Sequence, residues 1–214
     1  MRVKICGITR VEDALAAEAA GADAVGLIFA ERSKRRVTLR QAADIVAALG
    51  PFVARVGVFV DAPLGDVEEA VRTLRLSAVQ LHGREDAAYA EALRLHVQVI
   101  KAVAFTPELT PEAVQAFPAD AFLLDGLHPG SGEAFAWEDA LALAGLPHLI
   151  LAGGLTPANV AAGIRLFRPY GVDVASGVES SAGIKDPCKV QDFVRAAATV
   201  PTSKVIHSPG ANCG

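Results

Sequence analysis

The chain has 214 residues, 52% of them hydrophobic and 21% charged, with a net charge of −4. This length and apolar content argue for a large core and against disorder or coiled coil, and the negative balance offers no basic field to nucleic acid. No apolar run reaches the roughly 18 residues of a membrane span, and three widely spaced cysteines form no metal-ligand pattern. With no secretory h-region at its start, the chain reads as a reduced, soluble, cytoplasmic enzyme or binding domain.

From the N-terminus onward two patterns alternate. Short apolar runs bounded by turn residues predict buried strands at 2–6, 23–29, 54–60, 77–81, 97–103, 120–125, 148–152 and 171–175. Each is followed by a helix-favouring stretch, at 11–20, 38–49, 64–74, 85–95, 110–116, 137–144, 157–167 and 187–199. Start signals mark several helices: Thr38 before Leu39, Thr156-Pro157, and Asp186-Pro187. Units of about 27 residues suit parallel strands joined by crossovers, and eight is the number at which such a sheet closes. The rival open sheet would carry a glycine-rich dinucleotide fingerprint after its first strand; the segment Cys6-Gly7-Ile8-Thr9-Arg10 has a single glycine. The expected fold is therefore α/β, a single-domain (β/α)8 barrel over residues 1–200. The segment 201–214 has no helical period and is expected to be a tail outside it.

In such barrels chemistry collects at the C-terminal ends of the strands. There the sequence places Cys6, the basic loop Arg32 to Arg36, Gln80 and His82, Asp125, Gly153-Gly154, Asp173 and Ser176-Gly177. Taken alone, Cys6 reads more readily as a small buried hydrophobe than as a reactive thiol. Glycine loops after the seventh and eighth strands let backbone N–H groups approach an anion, so Gly153, Gly154, Ser176 and Gly177 are candidate phosphate contacts. Gln80, His82 and Asp173 are expected to line or order the pocket. Gly130-Ser131-Gly132, after the sixth strand, is either a lid or a solvated loop.

Nine motifs stand in a fixed order: KICGIT (4–9), GADAVGLIF (21–29), SKR (33–35), RVGVFV (55–60), VQLHG (79–83), LLDG (123–126), GSG (130–132), LAGGLTPANV (151–160) and VDVASGVES (172–180). In these the chain resembles the phosphoribosylanthranilate isomerase family over nearly all of residues 1–200. The resemblance implies a (β/α)8 barrel that performs an internal Amadori rearrangement of N-(5-phosphoribosyl)anthranilate in tryptophan biosynthesis, with no metal or redox cofactor. It implies Cys6 as general base, Asp125 as general acid and Arg35 as the contact to the anthranilate carboxylate. Lys4 is a candidate source of charge favouring the Cys6 thiolate, since residues two apart on a strand share a face. Arg32 and Arg36 read as a solvated loop face. The expected partner is the phosphorylated aminosugar alone, with neither nucleic acid nor membrane, and the chain as monomer or homodimer.

Two positions depart from the family pattern: Glu133 stands where Lys is frequent, and the stretch 182–186 has one basic residue, Lys185, where many relatives have two. Two other functions remain open to the sequence. One is a different sugar-phosphate barrel enzyme sharing the phosphate loops, and the other is a phosphorylated-metabolite binding protein on a retained barrel.

Overall fold

Parallel hydrogen-bonded ladders run from β1 (Arg2–Cys6) through β2 (Ala24–Ile28), β3 (Ala54–Phe59), β4 (Ala78–Leu81), β5 (Gln98–Ala104), β6 (Ala121–Asp125), β7 (Leu149–Leu151) and β8 (Gly171–Val174), and β8 pairs back onto β1. The sheet thus closes into an eight-stranded barrel, as the repeat predicts. Its closing seam sets Lys4 directly beside Asp173. The computed structural model describes residues 1–126 and 137–201. The Gly130-Ser131-Gly132 loop, Glu133 and the tail from 202 onward lie outside the described residues.

Helices cover the barrel: α1 (Val11–Ala19), α2 (Leu39–Ala48), α3 (Leu64–Leu74), α4 (Ala87–Arg94), α5 (Pro111–Gln115), α6 (Val160–Phe167) and α7 (Pro187–Ala198). Their starts follow the side-chain chemistry. Thr38 and Gln41 form a reciprocal capping box at α2, and Asp186 accepts from the amides of Cys188 and Lys189 at α7. Such caps are each worth about 1 kcal/mol.

Three segments differ from the sequence reading. Residues Trp137–Gly145, expected as an α-helix, form a 3-10 helix. The α-helix expected from 157 begins at Val160, because the Asn159 side chain binds the Thr156 amide and the Gly154 carbonyl and holds the preceding residues in a turn. Beyond β8, β9 (Glu179–Ser181) and β10 (Ile184–Lys185) form an antiparallel hairpin that no apolar run announces.

Each strand is apolar on both faces, as a sheet covered by helices requires. Ile5, Leu27, Val79, Leu81, Leu124 and Val172 pack outward beneath the helices, while Val56, Ala78, Ile100, Leu123 and Ile150 fill the barrel interior. Toward the C-terminal mouth this inner face turns polar: Lys4, Gln80, Asp125 and Asp173 are all buried there. Groups of that kind inside a barrel must be paired, and their pairing is the start of the site.

The last helix seals the outer layer through Phe193, fully buried among the sheet-facing apolar residues. Replacing it by alanine should cost about 3–5 kcal/mol in urea denaturation. A loss below about 1 kcal/mol would show that α7 is not part of the cooperative core.

Candidate active site

At the closing seam the Lys4 ammonium donates to Asp173 Oδ1 at 2.9 Å and to Gln80 Oε1 at 3.0 Å across the barrel. Burial disfavours its charge, but Asp173 and the neighbouring Cys6 outweigh that and push the Lys4 pKa up, so it remains an ammonium. Two residues further along β1, Cys6 lines the cavity at the mouth. Gly26 on β2 leaves the space the thiol occupies: a Cβ there would lie 2.7 Å from Cys6 Sγ.

Nearby positive charge does favour the Cys6 thiolate, as expected, but burial outweighs it. Burial raises the Cys6 pKa, and the opposing charges of Lys4 and Lys185 do not offset it. Lys4 is itself neutralised by Asp173, whose charge also raises the Cys6 pKa. The thiol of the free protein is protonated at neutral pH, and its conjugate base is correspondingly strong.

Across the mouth, Asp125 ends β6. Its Oδ1 accepts from the Gly126 amide at 2.9 Å, and its Oδ2 stands 3.5 Å from His82 Nε2. The other ring nitrogen, Nδ1, lies 2.9 Å from Gln80 Nε2. Gly153, at φ +76°, allows β7 to pass close by; a Cβ on it would meet Asp125 Oδ1 at 2.9 Å.

Arg35 reaches the cavity from the loop after β2, lying over Gly7, where a Cβ would meet Arg35 Cδ at 2.5 Å. Its Nε and Nη2 donate to Glu179 Oε1 and Oε2 at 2.7 and 2.8 Å. The Lys185 ammonium donates to the same Glu179 at 2.9 Å and to the Ala175 carbonyl. Burial pushes the Glu179 pKa up, yet the hydrogen bond from Arg35 and the charge of Lys185 outweigh it and leave the pKa lowered. The β9–β10 hairpin thus exists to bring two buried charges, Glu179 and Lys185, behind Arg35. The single basic residue of 182–186 is engaged in holding that carboxylate. Neither residue was among the sequence candidates.

At the opposite rim, Asn159 Nδ2 donates to the Gly154 carbonyl at 2.9 Å, turning that carbonyl toward the helix. Gly153, Gly154 and Ser176 line the cavity. Gly177 does not; a Cβ on it would overlap the Leu155 carbonyl oxygen, so this glycine lets the loops after β7 and β8 touch. Cys6, Arg35, Gln80, His82, Asp125 and Asp173 line the same cavity, of about 630 Å3. Arg32 and Arg36 are both exposed, as a solvated loop face requires; Arg32 also borders the cavity, whereas Arg36 does not line it.

Fold and site together are those of a (β/α)8-barrel isomerase acting on a small anionic substrate. The family model for N-(5'phosphoribosyl)anthranilate (PRA) isomerase matches residues 3–196, and the chain belongs to that family. It is 50% identical over 203 residues to the N-(5'-phosphoribosyl)anthranilate isomerase of Pseudomonas fluorescens, covering 92% of this chain and 95% of the other. The phosphoribosyl anthranilate isomerase structure from Thermus thermophilus superposes with a TM-score of 0.87 at 46% identity, covering 93% and 99% of the two chains. A further such structure, solved with reduced 1-(o-carboxyphenylamino)-1-deoxyribulose 5-phosphate, gives a TM-score of 0.85 at 39% identity over 94% and 100%. Among the described residues no helix is long and apolar enough to cross a membrane.

The raised Cys6 pKa has a direct readout. The thiolate absorbance of wild type minus that of Cys6→Ser should develop only above the ordinary thiol range as pH rises, because the buried thiol holds its proton longer. A difference curve complete near neutral pH would show that the positive charges win over burial.

Proposed function

We propose that this cavity carries out the family's rearrangement of N-(5'-phosphoribosyl)anthranilate with Cys6 as base and Asp125 as acid. The observation that supports the assignment best is their common placement: a thiol and a carboxyl face one cavity, flanked by Arg35 on one side and glycine loops on the other. The phosphate sits at the glycine loops after β7 and β8, where Gly153, Gly154 and Ser176 line the cavity and loop amides can meet an anion. Glu179 occupies one edge of the Arg35 guanidinium; the other edge, which meets no partner among the described residues, takes the anthranilate carboxylate through paired N–H groups.

With the substrate anchored at both ends, the proton movements follow. Asp125 gives its proton to the ring oxygen as the C1′–O bond breaks. The electron pair stays on that oxygen, and the nitrogen lone pair forms the C1′=N bond. The Cys6 thiolate then removes the C2′ proton, and the electrons freed form a C1′=C2′ bond while the iminium nitrogen becomes neutral. The Cys6 thiol then gives its proton to C1′ and the O2′ proton passes to the Asp125 carboxylate, which completes the ketone and returns both groups to the thiolate and acid forms in which they began. A thiol of raised pKa is scarce as thiolate but strong as a base, a compromise that general-base catalysis permits. The free thiols of Cys6 and Cys188 suit a reducing compartment, the cytoplasm.

Steady-state assays should show Cys6→Ser and Asp125→Asn each reduced in kcat by roughly 10²-fold or more. A nearly unimpaired Cys6→Ser would remove the base assignment, while retained activity in Asp125→Asn would remove the acid. Arg35→Lys keeps the charge but not the fork. It should raise KM by about tenfold with a smaller change in kcat, whereas an unchanged KM would place the carboxylate elsewhere.

A further inference from the structure

We infer that His82 is a positioning residue that carries its ring proton on Nε2 and presents it to Asp125, and that Lys4 imposes this tautomer through Gln80. The inference rests on the reading of Asp125 as the acid and adds the group that governs where its proton goes.

Hydrogen-bond polarity runs along one line from Lys4 to His82. An ammonium has three donors and no acceptor, so the Gln80 amide atom facing Lys4 at 3.0 Å is its oxygen. Lys4 is fixed in turn by Asp173 at 2.9 Å, and both are buried. The Gln80 NH2 group therefore points the other way, toward His82 Nδ1 at 2.9 Å. An NH2 group only donates, so Nδ1 must offer a lone pair. The neutral ring then carries its proton on Nε2, the nitrogen 3.5 Å from Asp125 Oδ2. Imidazolium is excluded while the Gln80 bond holds.

The backbone holds His82 for this task. Its amide donates to the Phe59 carbonyl, and the next residue, Gly83, donates to Glu85, whose buried carboxylate is paired with Lys101 at 2.8 Å. Chemically, a bare Nε2 would accept the Asp125 proton and withdraw it from the substrate. An Nε2–H cannot accept it, so the acidic proton is left to the cavity. Once that proton has gone, the carboxylate keeps the Gly126 N–H, and the His82 Nε2–H, 3.5 Å away, is the next donor within reach. The 3.5 Å separation is at the long end, as hydrogen bonds of catalytic groups without substrate frequently are.

Two-bond 1H–15N spectra of uniformly labelled wild type, with the His82 signals assigned by their loss in His82→Gln, read the tautomer directly. The expected result is Nε2–H; Nδ1–H or imidazolium at neutral pH would overturn the inference whatever the activity. Gln80→Glu replaces a donor by an acceptor of the same shape, which requires a proton on Nδ1. It should move the His82 signals and lower kcat by about 10-fold or more with KM within about threefold. A spectrum and kcat both unchanged would contradict the line from Lys4. His82→Gln, whose amide can place an N–H near the Nε2 position, should retain more kcat than His82→Leu; equal losses would reduce His82 to packing. Failure of the acid reading is separate: Asp125→Asn would then stay active while the wild-type tautomer remained Nε2–H.

Discussion

The Lys4–Asp173 ion pair is the constraint from which the rest of the site is built. It spans the seam where β8 meets β1, with the two side chains 5% and 9% exposed. Breaking such a pair by removing one partner costs about 3–5 kcal/mol, because the other charge stays buried alone. The pair therefore pins the two strands that carry Cys6 and the loop after β8. It also leaves the cavity with a cation whose field Asp173 largely cancels. Burial of the thiol, aided by this cancellation, is how Cys6 can stand beside a lysine and still have a raised pKa. The same ammonium orients the Gln80 amide, and through it the ring of His82. Base and acid, on opposite sides of the mouth, are thus tied to one buried charge.

A second charged group is arranged differently. Glu179 lies between Arg35 and Lys185, two cations and one carboxylate, so a net positive charge remains on the side assigned to the anthranilate carboxylate. The guanidinium is held by its Nε–Nη2 edge before substrate arrives, so little side-chain entropy is lost on binding. The glycines follow the same economy of space. Gly7 admits Arg35, Gly26 admits the Cys6 thiol and Gly153 admits Asp125. Each glycine stands where a neighbouring functional side chain, or its strand, must come closest.

Much of this was legible in the sequence because the barrel repeats a simple rule. Apolar runs of strand length, each followed by a helix-favouring stretch, place all eight strands and their closure. Period-two alternation puts Lys4 with Cys6 and Gln80 with His82 on one inner face. What was not legible depends on pairings that no local pattern records. Glu179 meets Arg35 across 144 positions of sequence, and its hairpin strands are three and two residues long, too short for an alternating signal. That Gly177, read as an anion contact, also lets the loops after β7 and β8 touch depends on such a pairing. The net rise of the Cys6 pKa was not legible because the sequence shows the charge of Lys4 but neither the depth at which the thiol is buried nor the Asp173 that pairs with that lysine.

The most direct test of the account is a crystal structure of this protein with reduced 1-(o-carboxyphenylamino)-1-deoxyribulose 5-phosphate. The account predicts the phosphate on the loops after β7 and β8, the carboxylate on the edge of Arg35 away from Glu179, and C2′ within about 3.5 Å of Cys6 Sγ, with Asp125 at the oxygen released from the ring. A ligand seated the other way round, with its phosphate at Arg35 or its C2′ remote from the thiol, would contradict it.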